Sequence, residues 1–93
     1  MREIRYTARF KRDYKREKTG RHSKTIDAAL TKVLNLLAAD MPLPSTNVDH
    51  QLLGEWSDHR DCHVKPDLIL IYRKPDDEHL DLVRLGSHSQ LGL

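Results

Sequence analysis

The chain has 93 residues, with sixteen Lys/Arg against fourteen Asp/Glu and a hydrophobic share of 38%. That length holds one small core and excludes a second, and no apolar run approaches the ~18 residues of a membrane span. The single cysteine, Cys62, excludes an internal disulfide and fits a reducing compartment. With charge from Arg2 onward and no apolar leader segment, the expectation is one cytoplasmic domain over residues 1–93, without membrane contact.

The elements can be read in chain order. Ile4 and Tyr6 alternate with Glu3 and Arg5, as in a short strand. Thr7 is placed to cap a helix over about Ala8 to Lys18, with Phe10 and Tyr14 on its buried face and Gly20 ending it. Ser23 would cap a second helix to about Ala39, where Ile26, Leu30, Val33 and Leu37 form an apolar stripe widened by Ala29 and Leu36. Met41-Pro42-Leu43-Pro44 breaks that helix, and a loop follows to about Asp49. Residues 59–65 then alternate, Arg60, Cys62 and Val64 on one face, Asp61, His63 and Lys65 on the other. Lys65-Pro66-Asp67 marks a turn. Leu68 to Tyr72 is a continuous apolar run, as in a central strand covered on both faces. Lys74-Pro75-Asp76-Asp77 is a further turn. Leu80, Leu82 and Arg84 then alternate with Asp81, Val83 and Leu85 in a last strand ending at Gly86. Strand, two helices and three strands in succession give an α+β domain, with the helices on one face of a small sheet.

The charge is uneven. Residues 1–24 hold ten of the sixteen Lys/Arg but three of the fourteen acids. A basic third on so small a domain suits a polyanion or an acidic protein. Lys11, Arg12, Lys15, Arg16 and Lys18 lie along the first helix and are its candidate phosphate contacts.

The acid–base groups gather in the other part of the chain. His63 points away from the Cys62/Val64 face, and Asp67 follows just past the turn. A carboxylate beside an imidazole fixes its tautomer. Arg84 reads as sharing a face with Leu80 and Leu82, where a charge needs a partner or a ligand. His88 follows Gly86-Ser87 at a strand end, and His50 precedes Leu52-Leu53-Gly54. Several histidines beside an arginine supply what phosphodiester cleavage needs without a metal. His59, Cys62 and His63 do not read as a metal set, because strand residues four apart stand about 13 Å from each other. Cys62 reads as a small core residue, and His22 and His79 as exposed turn residues.

The segments His50-Gln51-Leu52-Leu53-Gly54-Glu55-Trp56, Arg60-Asp61-Cys62-His63-Val64-Lys65-Pro66-Asp67-Leu68-Ile69-Leu70-Ile71-Tyr72 and Arg84-Leu85-Gly86-Ser87-His88-Ser89 together resemble the YafQ-type toxins of the RelE superfamily of bacterial toxin–antitoxin systems. The resemblance implies a RelE-like fold, two N-terminal helices on a curved antiparallel sheet. It implies an endoribonuclease, without cofactor or metal, that cuts mRNA in the A site of the 70S ribosome. It implies a cognate antitoxin of the DinJ/RelB-like kind, and contact with operator DNA only through that antitoxin. The family's acid–base cluster falls on His50, His63, Asp67 and His88, and its phosphate-binding arginine on Arg84. His88 would be the general acid, His50 or Asp67 would take the 2′-OH proton, and His63 would support the site. The basic helix would grip ribosomal RNA. Leu68 and Gly92 stand where the family usually has aromatic residues. ParE-type relatives, which share the architecture and poison DNA gyrase, are the alternative.

Overall fold

The computed structural model describes residues 1–93. Its elements are β1 (Glu3–Tyr6), α1 (Ala8–Lys18), α2 (Ile26–Ala38), β2 (His50–Gln51), β3 (Arg60–Lys65), β4 (Leu68–Arg73), β5 (His79–Gly86) and α3 (His88–Leu91), with short 3₁₀ turns at Ser45–Asn47 and Gly54–Trp56. The sheet order is β1-β5-β4-β3-β2. The strands β2 to β5 are antiparallel neighbours, and β1 joins parallel to β5, so the sheet is mixed rather than wholly antiparallel. Three elements escape a pattern reading: β2 at two residues and α3 at four are too short to show a period, and the 20–25 segment turns before α2 starts at Ile26.

The sheet has two dressed faces. Cys62, Val64, Leu68, Leu70, Tyr72, Leu80, Leu82 and Leu85 meet Phe10 and the α2 stripe of Ile26, Leu30, Val33, Leu34, Leu37 and Ala38 in the main core. Ile69 and Ile71 point the other way and pack with Leu52 and Leu91, with Trp56 and Val83 against them. This is why the 68–72 run is apolar without alternation. Removing a buried leucine such as Leu82 should cost roughly 2–5 kcal/mol.

Two irregularities in the ladders lie beside the residues of interest. One extra residue falls on β3 between His63 and Lys65, and another on β5 where Ile71 pairs with Arg84 but Tyr72 with Leu82. A bulge of this kind flips the alternation beyond it. Leu85, not Arg84, therefore shares the core face with Leu80 and Leu82, which corrects the face inferred from strict alternation.

β1 pairs with β5 only as far as Leu82, and α1 takes over that edge. The Thr7 hydroxyl caps α1 by accepting from the Phe10 N–H and donates to the Leu82 carbonyl at 2.8 Å. The Asp13 carboxylate accepts the Leu85 N–H at 3.0 Å, and Arg16 donates to the Leu85 carbonyl at 2.8 Å. Backbone groups that would otherwise form an open strand edge are thus satisfied by helix side chains.

Candidate active site

The histidines are placed by short elements, and each short element is tied down. His50 opposes Asp61 in the β2–β3 register, and the segment before it is pinned by two side chains. Asn47 donates to the His63 carbonyl at 2.7 Å. Asp49 accepts from Arg60 at 3.3 and 3.2 Å and from the Tyr72 hydroxyl at 2.5 Å. Burial, and then Asp49, hold the Tyr72 phenol protonated far above its ordinary range, so it is a fixed donor. Between these anchors Val48 sits at φ +46°, a conformation that β-branched residues avoid at about 1–3 kcal/mol. Its carbonyl lies 3.1 Å from His50 Nδ1. That geometry assigns the proton to Nδ1 and leaves Nε2 as the acceptor nitrogen.

His88 is the first residue of α3. Ser87 caps it in a reciprocal box with Gln90: the Ser87 hydroxyl accepts from Gln90 N–H, and the Gln90 side chain accepts from Ser87 N–H at 2.8 Å. Gly86 precedes the box, and a Cβ there would lie 2.8 Å from Arg16 Nη2 and 2.9 Å from Gln90 Oε1. A side chain at this position would push the ends of Arg16 and Gln90 aside, and with them the Gln90 half of the capping box. His88 Nδ1 is 3.1 Å from Asp67 Oδ1, which also accepts the His88 backbone N–H at 3.3 Å. These two bonds, with Arg21 at 3.3 Å from the other oxygen, hold the Asp67 carboxyl below its usual range. An ionised Asp67 only accepts, so His88 carries a proton on Nδ1 and presents Nε2. The His63 ring meets the His88 ring edge-on, with centroids 5.2 Å apart.

Of the predicted set, His63, Asp67 and His88 come together, and His50 stands on the neighbouring strand across Asp61. Arg84 does not join them. Its Nε and Nη2 are held by Asp13 at 2.6 and 3.2 Å, and only Nη1 is left without a partner. Burial pushes the Asp13 carboxyl up, but Arg84, the Leu85 N–H and Arg16 outweigh it and leave Asp13 below its usual range. On the first helix Lys11, Arg12 and Lys15 are without ion pairs, whereas Arg16 pairs with Asp13 and Glu17, and Lys18 with Asp27 at 2.8 Å. Three residues at or near the site escape the sequence reading: Asp61, Asp13 and Arg21. The alternation that places His63 also places Asp61 on its face, and Asp13 lies three residues from Phe10 on the same helical stripe. Those are the available signals. Arg21 has none, since only folding brings it to Asp67.

Burial drives the Cys62 thiol far above its ordinary range, so it is an inert core residue. No group of three or more His, Cys, Asp or Glu side chains is arranged to hold a metal ion. Leu68 is fully buried in the main core, and Gly92 ends α3 at φ +72°, where an aromatic side chain would be strained. No helix is long and apolar enough to cross a membrane.

The model for the family described as bacterial toxin of type II toxin–antitoxin system, YafQ, matches residues 2–92. This chain belongs to the YafQ family. The mRNA interferase toxin YafQ of Escherichia coli K12 is 36% identical over 92 residues, covering 98% of this chain and 96% of that one. The E. coli YafQ chain solved in complex with DinJ superposes with a TM-score of 0.78 at 34% identity, over 98% of each chain. A copper-bound variant toxin from Helicobacter pylori gives 0.84 at 35% identity, over 98% of this chain and 99% of that one. The enzyme class that comes with the family is endoribonuclease, and the fold is that of the solved YafQ structures.

Proposed function

We propose that this YafQ-family toxin cuts messenger RNA in the ribosomal A site by metal-independent acid–base catalysis, with His50 as base and His88 as acid. The observation that carries the reading is the matched presentation of two imidazoles. Each has Nδ1 engaged, His50 by Val48 and His88 by Asp67, and each leaves Nε2 free. His50 Nε2 takes the ribose 2′-OH proton as the oxygen attacks the adjacent phosphorus. The bond from phosphorus to the 5′ oxygen breaks, and His88 Nε2 gives that oxygen its proton. The products are a 2′,3′-cyclic phosphate and a 5′-OH. The need for a 2′-OH restricts the reaction to RNA.

Asp67 is poorly suited to be the base, because a carboxyl held low binds a proton weakly. Its part is to orient His88 and to stabilise the charged ring before the proton leaves. His63, packed on the edge of His88, limits that ring's rotation. Arg84 offers its unpaired Nη1 to a phosphoryl oxygen. Lys11, Arg12 and Lys15 are free to meet ribosomal RNA phosphates, or the acidic surface of a cognate antitoxin in the DinJ position. Operator DNA would be reached through that antitoxin, and the cell compartment would be the cytoplasm. The whole of residues 1–93 would act as one toxin domain.

Primer extension on a defined message in a reconstituted translation mixture tests the reading. New 5′ ends within codons, seen only with ribosomes, are the expected result. Intact message would overturn it and turn attention to gyrase supercoiling.

A further inference from the structure

Asp61 is the residue the mechanism above leaves unused. It lies on β3, on the face of His63 and opposite His50, and is 3% exposed. Its Oδ1 is 3.0 Å from His50 Nδ1, yet it is the one buried side-chain polar atom in the chain with no hydrogen bond, because the Nδ1–H is directed at the Val48 carbonyl. Other buried carboxylates here are supplied with donors: Asp13 by Arg84, Arg16 and Leu85, Asp81 by Arg5 and Arg73. Around Asp61 stand His50 from β2, His63 from its own strand and His88 from α3, with Asp49 a like charge nearby and Asp67 beyond His88. Burial raises its proton affinity and the three imidazoles oppose that rise. A fold that leaves one buried carboxylate unsatisfied beneath a histidine cluster keeps it for a reason other than stability.

We infer that Asp61 is a positioning residue, the fixed counter-charge for the imidazolium that His50 becomes on taking the 2′-OH proton. The inference rests on the reading of His50 as base. During cleavage the positive charge moves from His88 to His50, hence from beside Asp67 to beside Asp61. Each ring is charged only when it faces a carboxylate, so little rearrangement is needed as the proton moves. The missing hydrogen bond suits this role. An Oδ1 held by a neutral donor would be less able to respond when the ring becomes charged.

The test is Asp61→Asn beside wild type in the ribosome cleavage assay, with kcat, KM and the pH dependence of kcat, and with thermal unfolding of both. The substitution removes a negative charge next to the base, so His50 holds its proton less tightly. The expected result is a kcat lowered about tenfold or more, the factor carried by one unit of proton affinity. KM should stay within about twofold, and the acidic limb of the profile should move to lower pH by about one unit or more. Because the native carboxylate is buried and unpaired, the Asn protein should unfold a few degrees higher, not lower. Asp61→Glu, which retains the charge, should recover part of the rate. A variant with a lowered Tm and an unchanged pH profile would make Asp61 merely structural and overturn the inference. So would wild-type kcat in Asp61→Asn. Wild type that leaves the message intact would instead remove the ribonuclease reading, and Asp61's role with it.

Discussion

Asp13 and Asp61 are buried to the same degree, with 5% of each side chain exposed, and their surroundings are opposite. Asp13 accepts from two nitrogens of Arg84, from Arg16 and from the Leu85 N–H, and lies below the usual carboxylate range despite its burial. Asp61 has an oxygen with no donor, and burial holds it above that range. One carboxylate fastens α1 to the edge of β5. The other is an unsatisfied charge under three imidazoles. The contrast separates a group that holds the fold from one that the fold has to hold in place. Burial alone does not distinguish them, and the accounting of hydrogen bonds does.

The sharpest way to use the contrast is to disable each side of it. On the histidine side, His88→Ala should lower kcat about 10²–10⁴-fold. Tm should change little, since the His88 side chain is half-exposed and caps nothing. Quantified primer extension and a melting curve check both halves, and an unaltered cleavage rate would remove His88 from the chemistry. On the Asp13 side the effect should reverse. Asp13→Ala strands Arg84 and one strand N–H, leaving Arg16 to Glu17 and the Leu85 carbonyl, and should cost about 3 kcal/mol in urea unfolding, while the activity remaining tracks the folded fraction. If Asp13→Ala instead left stability intact and lowered kcat, its role would be to aim Arg84 rather than to join α1 to β5.

The basic helix offers a smaller effect. Replacing Lys11, Arg12 and Lys15 by Gln should reduce the log–log salt dependence of ribosome binding by roughly 0.7–0.9 for each phosphate no longer neutralised. An unchanged slope would mean that this surface does not meet RNA. Acid titration is gentler again. Asp40 beside Arg2 and Lys74, and Asp76 beside His79, are held down to about 2 from the ordinary 3.8. Depressed carboxylates contribute stability above their unfolded pKa and lose it as pH falls through the folded value. Stability should therefore fall between about pH 4 and 2, whereas Asp61, whose affinity for a proton is raised, favours the folded state as pH falls only above its unfolded value and adds no slope below about pH 4. Unfolding curves across that window check the sign. Toxin treated with a chelator that is then removed should cleave at the untreated rate on magnesium-supplied ribosomes, and activity that returned only on adding a transition metal to the toxin would overturn the side-chain mechanism.

Much of the architecture is legible in the chain. Thr7 and the Phe10/Tyr14 spacing locate α1, the Ile26–Leu37 stripe locates most of α2, and the 68–72 run marks a strand covered on both faces. These signals are local and repeat with the period of their element. The candidate residues emerge by the same means, with the resemblance adding their roles. Alternation fails across a bulge. Nothing in Leu82-Val83-Arg84-Leu85 announces that one residue will be left out of the ladder, and so strict alternation puts Arg84 on the wrong face.

The sequence by itself determined the helices, the central strands, the chemistry of the candidate groups and the uneven charge. Tertiary structure decided the pairings between distant residues: Asp13 with Arg84 across 71 positions, His88 with Asp67 across 21, and Asp61 beneath His50 from the next strand. Those pairings depend on strand order, on two bulges and on where β1 stops. Each is fixed by packing of the whole domain rather than by any local pattern.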